Sequence, residues 1–258
     1  MTETGYATVT LTSGNRERHE SHTSPLGCTA TAVESYHLAP GAEVTLPCEP
    51  EQVCVPILPA ADTEDGTAST TAWAVHLGSE SLPRTGVGRV PAGVETTLGV
   101  SSDTSTRAER VSETATGVTV LLIAAPADSG SASTPVVADV ADSSFTEPDT
   151  SDIETARLTA TLGCRGVKLN ARRLRPGQRV PYHTEGDQEE LFVPVRGPAT
   201  MEIDGERVET PVGTVTRVAP PVPRSAVNGG ERDATWVMIG APPTGGPDEW
   251  DPGAEILE

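Results

Sequence analysis

The chain has 258 residues, room for one large domain or two small ones. Its 18 basic against 37 acidic residues give a net charge of −19, a field that repels nucleic-acid phosphates and anionic lipid surfaces and so excludes polyanion binding. Lys168 is the sole lysine and arginine supplies the remaining basic charge; with abundant Ala, Val, Thr, Gly and Asp, this composition suggests a halophile's cytosolic protein, whose self-repulsion molar salt would screen.

The opening stretch, MTETGYATVTLTSGNRERHE, has no basic region followed by an apolar one, and no segment approaches the ~18 apolar residues of a bilayer span. A soluble, cytoplasmic protein is expected, with Cys28, Cys48, Cys54 and Cys164 as reduced thiols rather than a disulfide framework. The chain then repeats itself. Leu26-Gly27-Cys28 returns as Leu162-Gly163-Cys164, and each is followed at the same distance by Pro-Gly, at 40–41 and 176–177. VCVPI (53–57) answers LFVPV (191–195), PRTGVGRV (83–90) answers PVGTVTRV (211–218), and VLLIAAP (120–126) answers WVMIGAP (236–242). Five matches in one order indicate two copies of one module. Between them, residues 125–152 are rich in Ser, Asp, Thr and Pro. The expected organisation is an N-terminal barrel over 1–126, a linker over 127–152, and a C-terminal barrel with tail over 153–258.

Within each copy, short Val, Thr and Ile runs alternate with Gly, Pro and Asp-Gly, which is strand and hairpin chemistry. Asp204-Gly205 predicts a two-residue type I′ turn, because both residues accept positive φ. Helical periodicity is almost absent. Many short strands in ~100 residues argue for an antiparallel sandwich or closed barrel, an all-β fold that hides its sheet edges.

The segment PGQRVPYHTEGDQEELFVPVRG (176–197) resembles the first motif of the cupin superfamily: Gly177, then His183, Glu185, Glu190 and Gly197 stand at the family's spacing, with glutamate replacing its second histidine. The second motif is matched by Gly205, Pro211, Gly213 and Asn228, with Arg224 where the family has its last histidine ligand. Through the internal repeat the resemblance extends to the first half, and it implies two tandem antiparallel jelly-roll barrels with the ligands inside, near one mouth.

Strand alternation turns His183 and Glu185 to the same side, and the Gly186-Asp187 turn lets the next strand bring Glu190 alongside. One imidazole and two carboxylates could hold Mn, Fe, Ni or Zn with open positions. Arg224 offers only donors and cannot ligate a metal. With neutral His183, these groups sum to +1 around a divalent ion, which favours an anionic small ligand, and to −1 without one, where Arg224 would pair with Glu185 or Glu190. An acidic run such as TEGDQEE is ordinarily a solvated turn, and only the motif spacing lifts these residues above that reading. Phe192 and Pro194, alternating after Glu190, should face inward and narrow the cavity, and Trp236 and Met238 are read likewise.

In the first copy, Pro47 falls opposite His183, Glu49 opposite Glu185, Gln52 opposite Glu190 and Thr96 opposite Arg224, so that half has lost the ligand set. It is read as a structural partner or as a pocket of different specificity. Cys48 and Cys54 are read as buried strand cysteines, Cys28 and Cys164 as small core residues, and His19, His22, His37 and His76 as packing or surface groups. Trp250 is read as a clasp across the two domains. The expected function is binding of a small anionic molecule in the C-terminal barrel, with Arg224 and Phe192 as ligand contacts and His183, Glu185 and Glu190 as the divalent-metal set. If catalytic, the resemblance implies oxygenase- or isomerase-like chemistry; the alternative is a non-catalytic, metal-free ligand sensor or storage-type protein. The expected partners are a small molecule, the two barrels pairing within one chain, and a second copy in a homodimer.

Overall fold

A computed structural model of the protein describes residues 5–11, 17–57, 73–83, 85–102, 117–127, 133–146, 152–246, 249 and 251–257. The first half contributes β1 (Tyr6–Thr10), β2 (Arg18–Ser21), α1 (Thr23–Leu26), β3 (Ala32–Leu38), β4 (Glu43–Leu46), β5 (Glu51–Ile57), β6 (Trp73–Leu77), β7 (Glu80–Leu82), β8 (Gly86–Val90), β9 (Thr96–Ser102), β10 (Val118–Ala125) and β11 (Val136–Asp139). The second contributes β12 (Glu154–Arg157), α2 (Leu158–Leu162), β13 (Lys168–Leu174), β14 (His183–Thr184), β15 (Glu189–Arg196), β16 (Thr200–Ile203), β17 (Glu206–Glu209), β18 (Thr214–Val218), β19 (Arg224–Val227), β20 (Ala234–Ala241) and β21 (Glu255–Ile256).

In the first half a six-stranded sheet, β11-β8-β5-β10-β3-β2, accompanies a four-stranded one, β4-β9-β6-β7. In the second, β1-β18-β15-β20-β13-β12 accompanies β17-β16-β19-β14-β21. Each half has its own interior core, around Cys54, Leu98 and Leu122 in the first and around Phe192, Met201 and Trp236 in the second. A third core joins the halves: Val53, Val55, Leu121 and Ile123 share one cluster with Leu191, Val193, Val237 and Ile239. The six-stranded sheets are therefore buried on both faces, which is why VCVPI, LFVPV, VLLIAAP and WVMIGAP read as continuous apolar runs rather than alternating ones.

Two edge strands lie outside a simple division of the sequence. β1 pairs with β18, from Tyr6 opposite Val218 to Thr10 opposite Thr214, so the first described strand lies on the second half's sheet. Within 127–152, Val136–Asp139 forms β11 against β8. Both strands cover a sheet edge that would otherwise present unpaired N–H and C=O groups.

The repeated sequence marks are turns. Gly27 and Gly163 end α1 and α2 in the left-handed region at φ 67° and 69°, with the following cysteine N–H bonded back to Thr23 and Thr159. Asp204 and Gly205 take φ 52° and 76° and join β16 to β17 as the Asp-Gly signal predicts. At Gly197, φ is 77° and a Cβ would collide with the Asp233 carbonyl oxygen. Gly197→Ala should therefore cost at least the ~1–3 kcal/mol of a non-glycine left-handed residue; urea unfolding checks this, and a variant as stable as wild type would contradict the packing described.

Candidate functional site

The interior of the second half gathers charged groups from both of its sheets. From the smaller sheet come His183 on β14 and Arg224 on β19, opposed in the antiparallel register. From the larger comes Glu190 on β15, with Glu185 on the loop between β14 and β15. His183 Nε2 lies 3.4 Å from Glu185 Oε1 and 3.6 Å from Glu190 Oε2. Arg224, fully buried, donates from Nε to Glu190 Oε2 at 2.9 Å and from Nη1 to the carbonyls of Pro220 at 2.7 Å and Val222 at 2.9 Å. The four groups singled out in the sequence thus share one interior.

Their environment sets their charges. Burial alone would lower the His183 pKa, but hydrogen bonds to Glu185 and Glu190 outweigh it and raise it to about 9. Burial works against ionised Glu190 as well, yet the Arg224 charge and His183 pull it down to about 2. Glu185 moves the other way: burial raises it, opposed by His183 and reinforced by the neighbouring Glu190 charge. The His183 Nδ1 atom lies 2.7 Å from the Pro181 carbonyl and donates its proton there, which turns Nε2 towards the two carboxylates. An Nε2 lone pair facing two carboxylates calls for a cation between them, either a proton on Nε2 or a metal ion.

The donor set suits either cation. His183, Glu185 and Glu190 each offer one ligand atom, all within 4.8 Å of one another, and the imidazole is held by its other nitrogen as metal-binding histidines usually are. Glu185 Oε2 is buried without a hydrogen-bond partner, a free acceptor for such an ion. Arg224 stays outside the set because guanidinium has no lone pair to give.

Sequence reading missed Arg172. In β13, Leu169 and Ala171 belong to the core between the halves, so Arg172 lies on the opposite face, where its register partner is Trp236 of the interior core. Burial lowers its pKa, while the charges of Glu190 and Glu185 raise it, which places it within their field. Two signals pointed there: the alternation in KLNARRL, and the repeat, in which Arg172 occupies the place of interior Tyr36. The tail is a second omission. β21 pairs with β14, Ile256 opposite His183, and Asp251 accepts the N–H groups of Gly186 at 3.1 Å and Asp187 at 3.4 Å. Lys168 Nζ donates to the Glu249 carbonyl at 2.7 Å, so the tail is strapped across the strand and loop that carry His183 and Glu185.

Phe192 packs edge-on against Trp236, ring centroids 6.5 Å apart, inside the barrel core, and Met238 joins the same cluster. In the first half, Gln52 donates to the Pro47 carbonyl, Thr96 is buried, and no charged cluster corresponds to that of the second half among the described residues. Cys54 is buried in β5, whereas Cys48 is exposed, because it lies in the turn before that strand and not within it. Burial pushes the thiols of Cys54 and Cys164 up to about 12 and that of Cys28 up to about 11, which keeps all three protonated. His22, His37 and His76 are bonded to Ser35, Thr119 and Ser101, and His19 stacks on Tyr36. Trp250 lies outside the described residues.

No family model and no curated protein sequence matches the chain. Solved structures do. A glyoxylate-induced protein from Pseudomonas aeruginosa superposes with a TM-score of 0.62 at 13% identity, over 93% of this chain and 88% of that one. An oxalate decarboxylase gives 0.63 at 11% identity, over 97% and 79%, and an IolB-like protein from Salmonella typhimurium LT2 gives 0.61 at 12%, over 97% and 96%. A Bacillus subtilis oxalate decarboxylase described for its Mn(II) centres gives 0.60 at 12%, over 97% and 77%. At these identities the likeness is one of fold: the protein is two tandem antiparallel jelly-roll barrels of the cupin type. Among the described residues, no helix is long and apolar enough to cross a membrane.

Proposed function

We propose that the C-terminal barrel binds a small anionic molecule, with Arg224 as its principal charged contact, Arg172 as a second, and Phe192 in the apolar wall. The observation that carries this reading is the interior charge. Arg172 and Arg224 both lie in the field of Glu185 and Glu190, and a proton on His183 or a divalent ion beside it adds positive charge to this buried place. An anion would answer that added charge. Arg224 Nη2, buried and without a hydrogen-bond partner, is a donor in need of an acceptor.

His183, Glu185 and Glu190 would hold the divalent ion, one of Mn, Fe, Ni or Zn. Bound there, it would supply Lewis-acid polarisation of an oxygen on the ligand, the basis for oxygenase- or isomerase-like chemistry. The chain's own residues orient the anion through guanidinium groups, exclude water with Phe192, Trp236 and the tail, and hold a proton on His183 Nε2 when the ion is absent. A second reading, a metal-free, non-catalytic sensor or storage-type protein, is favoured by the 2.9 Å Arg224–Glu190 pair, which satisfies Glu190 without an ion.

Elemental analysis of protein purified at high salt, beside His183→Ala, separates these readings. Stoichiometric metal in the wild type alone supports the first; none in either after reconstitution leaves the second. A thermal-shift panel of small carboxylates and phosphate esters at fixed ionic strength tests the anion itself. At a hundredfold excess over Kd, stabilisation of ~2.7 kcal/mol is expected, and it should be lost in both Arg224→Gln and Arg172→Gln. A wild type that responds to no member of the panel would overturn the proposal.

A further inference from the structure

A gathering of guanidinium groups lies at the junction of the two halves, at the end of β15 remote from Glu190. A groove of about 470 Å³ there is lined by Thr85, Val140 and Ala141 of the first half and by Arg173, Arg196 and Arg232 of the second, among others. In a chain of net charge −19, most described arginines pair with a carboxylate, as Arg89, Arg217 and Arg224 do. Among the described residues, Arg196 and Arg232 pair with none.

Their gathering has a backbone cause. Along β15, Glu190 and Phe192 face the barrel interior, so unbroken alternation would send Arg196 inward too. Instead the register slips between Pro194 and Arg196: Pro194 opposes Trp236, and Arg196 opposes Thr235. This bulge moves Arg196 to the other face. Thr235 also opposes Arg173 across β13, so Arg173, Thr235 and Arg196 form one row over three strands. Arg173 is held in place by Glu154 at 3.3 Å and by stacking 4.1 Å over the Phe145 ring. Arg232 and Asp233 line the same groove from the loop before β20.

The duplication supplies an internal control. In the first half β5 pairs with β10 without such a slip, and the row at the same register is His37, Thr119 and Ile57, the last of which answers Val195 in the repeat; no arginine stands in that row. Three guanidinium groups against one aspartate leave the groove positive even with Glu154 answering Arg173. From this geometry we infer that the inter-half groove binds a small molecule bearing two or more anionic groups, carboxylates or phosphates, through Arg196, Arg232 and Arg173. Guanidinium forks suit both chemistries.

Calorimetric titration with citrate and, separately, with pyrophosphate at constant ionic strength tests this, independently of the barrel interior. Wild type should bind at least one of the two saturably in the groove, whatever the barrel interior binds. Arg196→Gln/Arg232→Gln, which replaces exposed groups only, should bind that anion at least tenfold more weakly, while Arg165→Gln, another exposed arginine without an ion pair, should match the wild type. Citrate binding alone identifies a carboxylate site and pyrophosphate alone a phosphate site. The inference is overturned if neither anion binds, if the double variant binds as tightly as wild type, or if Arg165→Gln weakens binding equally.

Discussion

Glu189→Ala should be the most destabilising single substitution among the charged residues, lowering the unfolding free energy by about 3–5 kcal/mol, as expected when one partner of a buried pair is removed. Glu189 is 1% exposed and opens β15 facing the first half rather than the barrel interior. Its carboxylate accepts the N–H groups of Thr29, Ala30 and Thr31 at 2.9–3.0 Å, the hydroxyls of Thr29 at 3.1 Å and Thr31 at 2.8 Å, and Nε and Nη2 of Arg217 at 3.2 and 3.0 Å. Without it, a buried guanidinium and three backbone donors lose their acceptor at once. Glu51 makes the reciprocal contact: it pairs with Arg89 at 2.7 Å and accepts the N–H groups of Arg165 at 2.9 Å and Gly166 at 2.8 Å from the second half. Glu51→Ala should cost a similar amount. Chemical denaturation of both, beside exposed Glu209→Ala as a control expected within ~0.5 kcal/mol of wild type, measures the effect. If Glu189→Ala unfolds like the control, the two halves are held by their apolar core alone. Burial raises the Glu189 pKa, but the loop N–H and hydroxyl donors and Arg217 outweigh it and hold it low. Its stabilisation is therefore present above the usual carboxylate pKa and lost as pH falls through the folded value, so Glu189→Ala should also lack part of the wild type's acid lability.

This reciprocal clamp shows what the sequence carried and what it hid. The repeat that aligns VCVPI with LFVPV also aligns Glu51 with Glu189, and the one that aligns GRV with TRV aligns Arg89 with Arg217. The loops these glutamates hold follow the two Leu-Gly-Cys marks, whose glycines end one-turn helices. The pairs were legible as repeats, but their purpose was not. β5 and β15 are buried on both faces, so periodicity distinguishes neither face, and nothing local says that Glu189 looks at the other half while Glu190 looks into the barrel.

The interior site was legible for a different reason. His183 and Glu185 lie two residues apart on one extended segment, and a short turn fixes where Glu190 returns, so the spacing dictates proximity. Arg224 was placed by a longer loop and by the register of β14 against β19, which only the motif resemblance anticipated. Arg172 belongs to a strand with no motif, and its neighbour Arg173 faces the opposite way, so two adjacent arginines lie on opposite faces of one sheet. The tail's place over β14 rests on a two-residue pairing and a few hydrogen bonds from Asp251 and Lys168, contacts too sparse for any pattern in the sequence to announce.

Stripped of divalent metal, the protein should lose stability as pH rises from neutrality through about 9. His183 titrates near 6.5 when unfolded and about 9 when folded, because Glu185 and Glu190 favour its protonated form over the opposing cost of burial. A raised folded pKa stabilises fully below the unfolded value, and that contribution, about 3 kcal/mol at 1.36 kcal/mol per unit, fades through the folded one. In His183→Gln this alkaline loss should be absent, and the variant should be less stable than wild type at pH 6 while approaching it at pH 9.5. Added Mn or Zn should reverse the trend, since the ion competes with the proton for Nε2 and binds more tightly as pH rises. Thermal unfolding in chelator and in metal, for wild type and His183→Gln across that range, reads both effects. An alkaline loss of equal size in the variant would show that another group titrates, and metal protection that does not grow with pH would remove His183 from the ligand set.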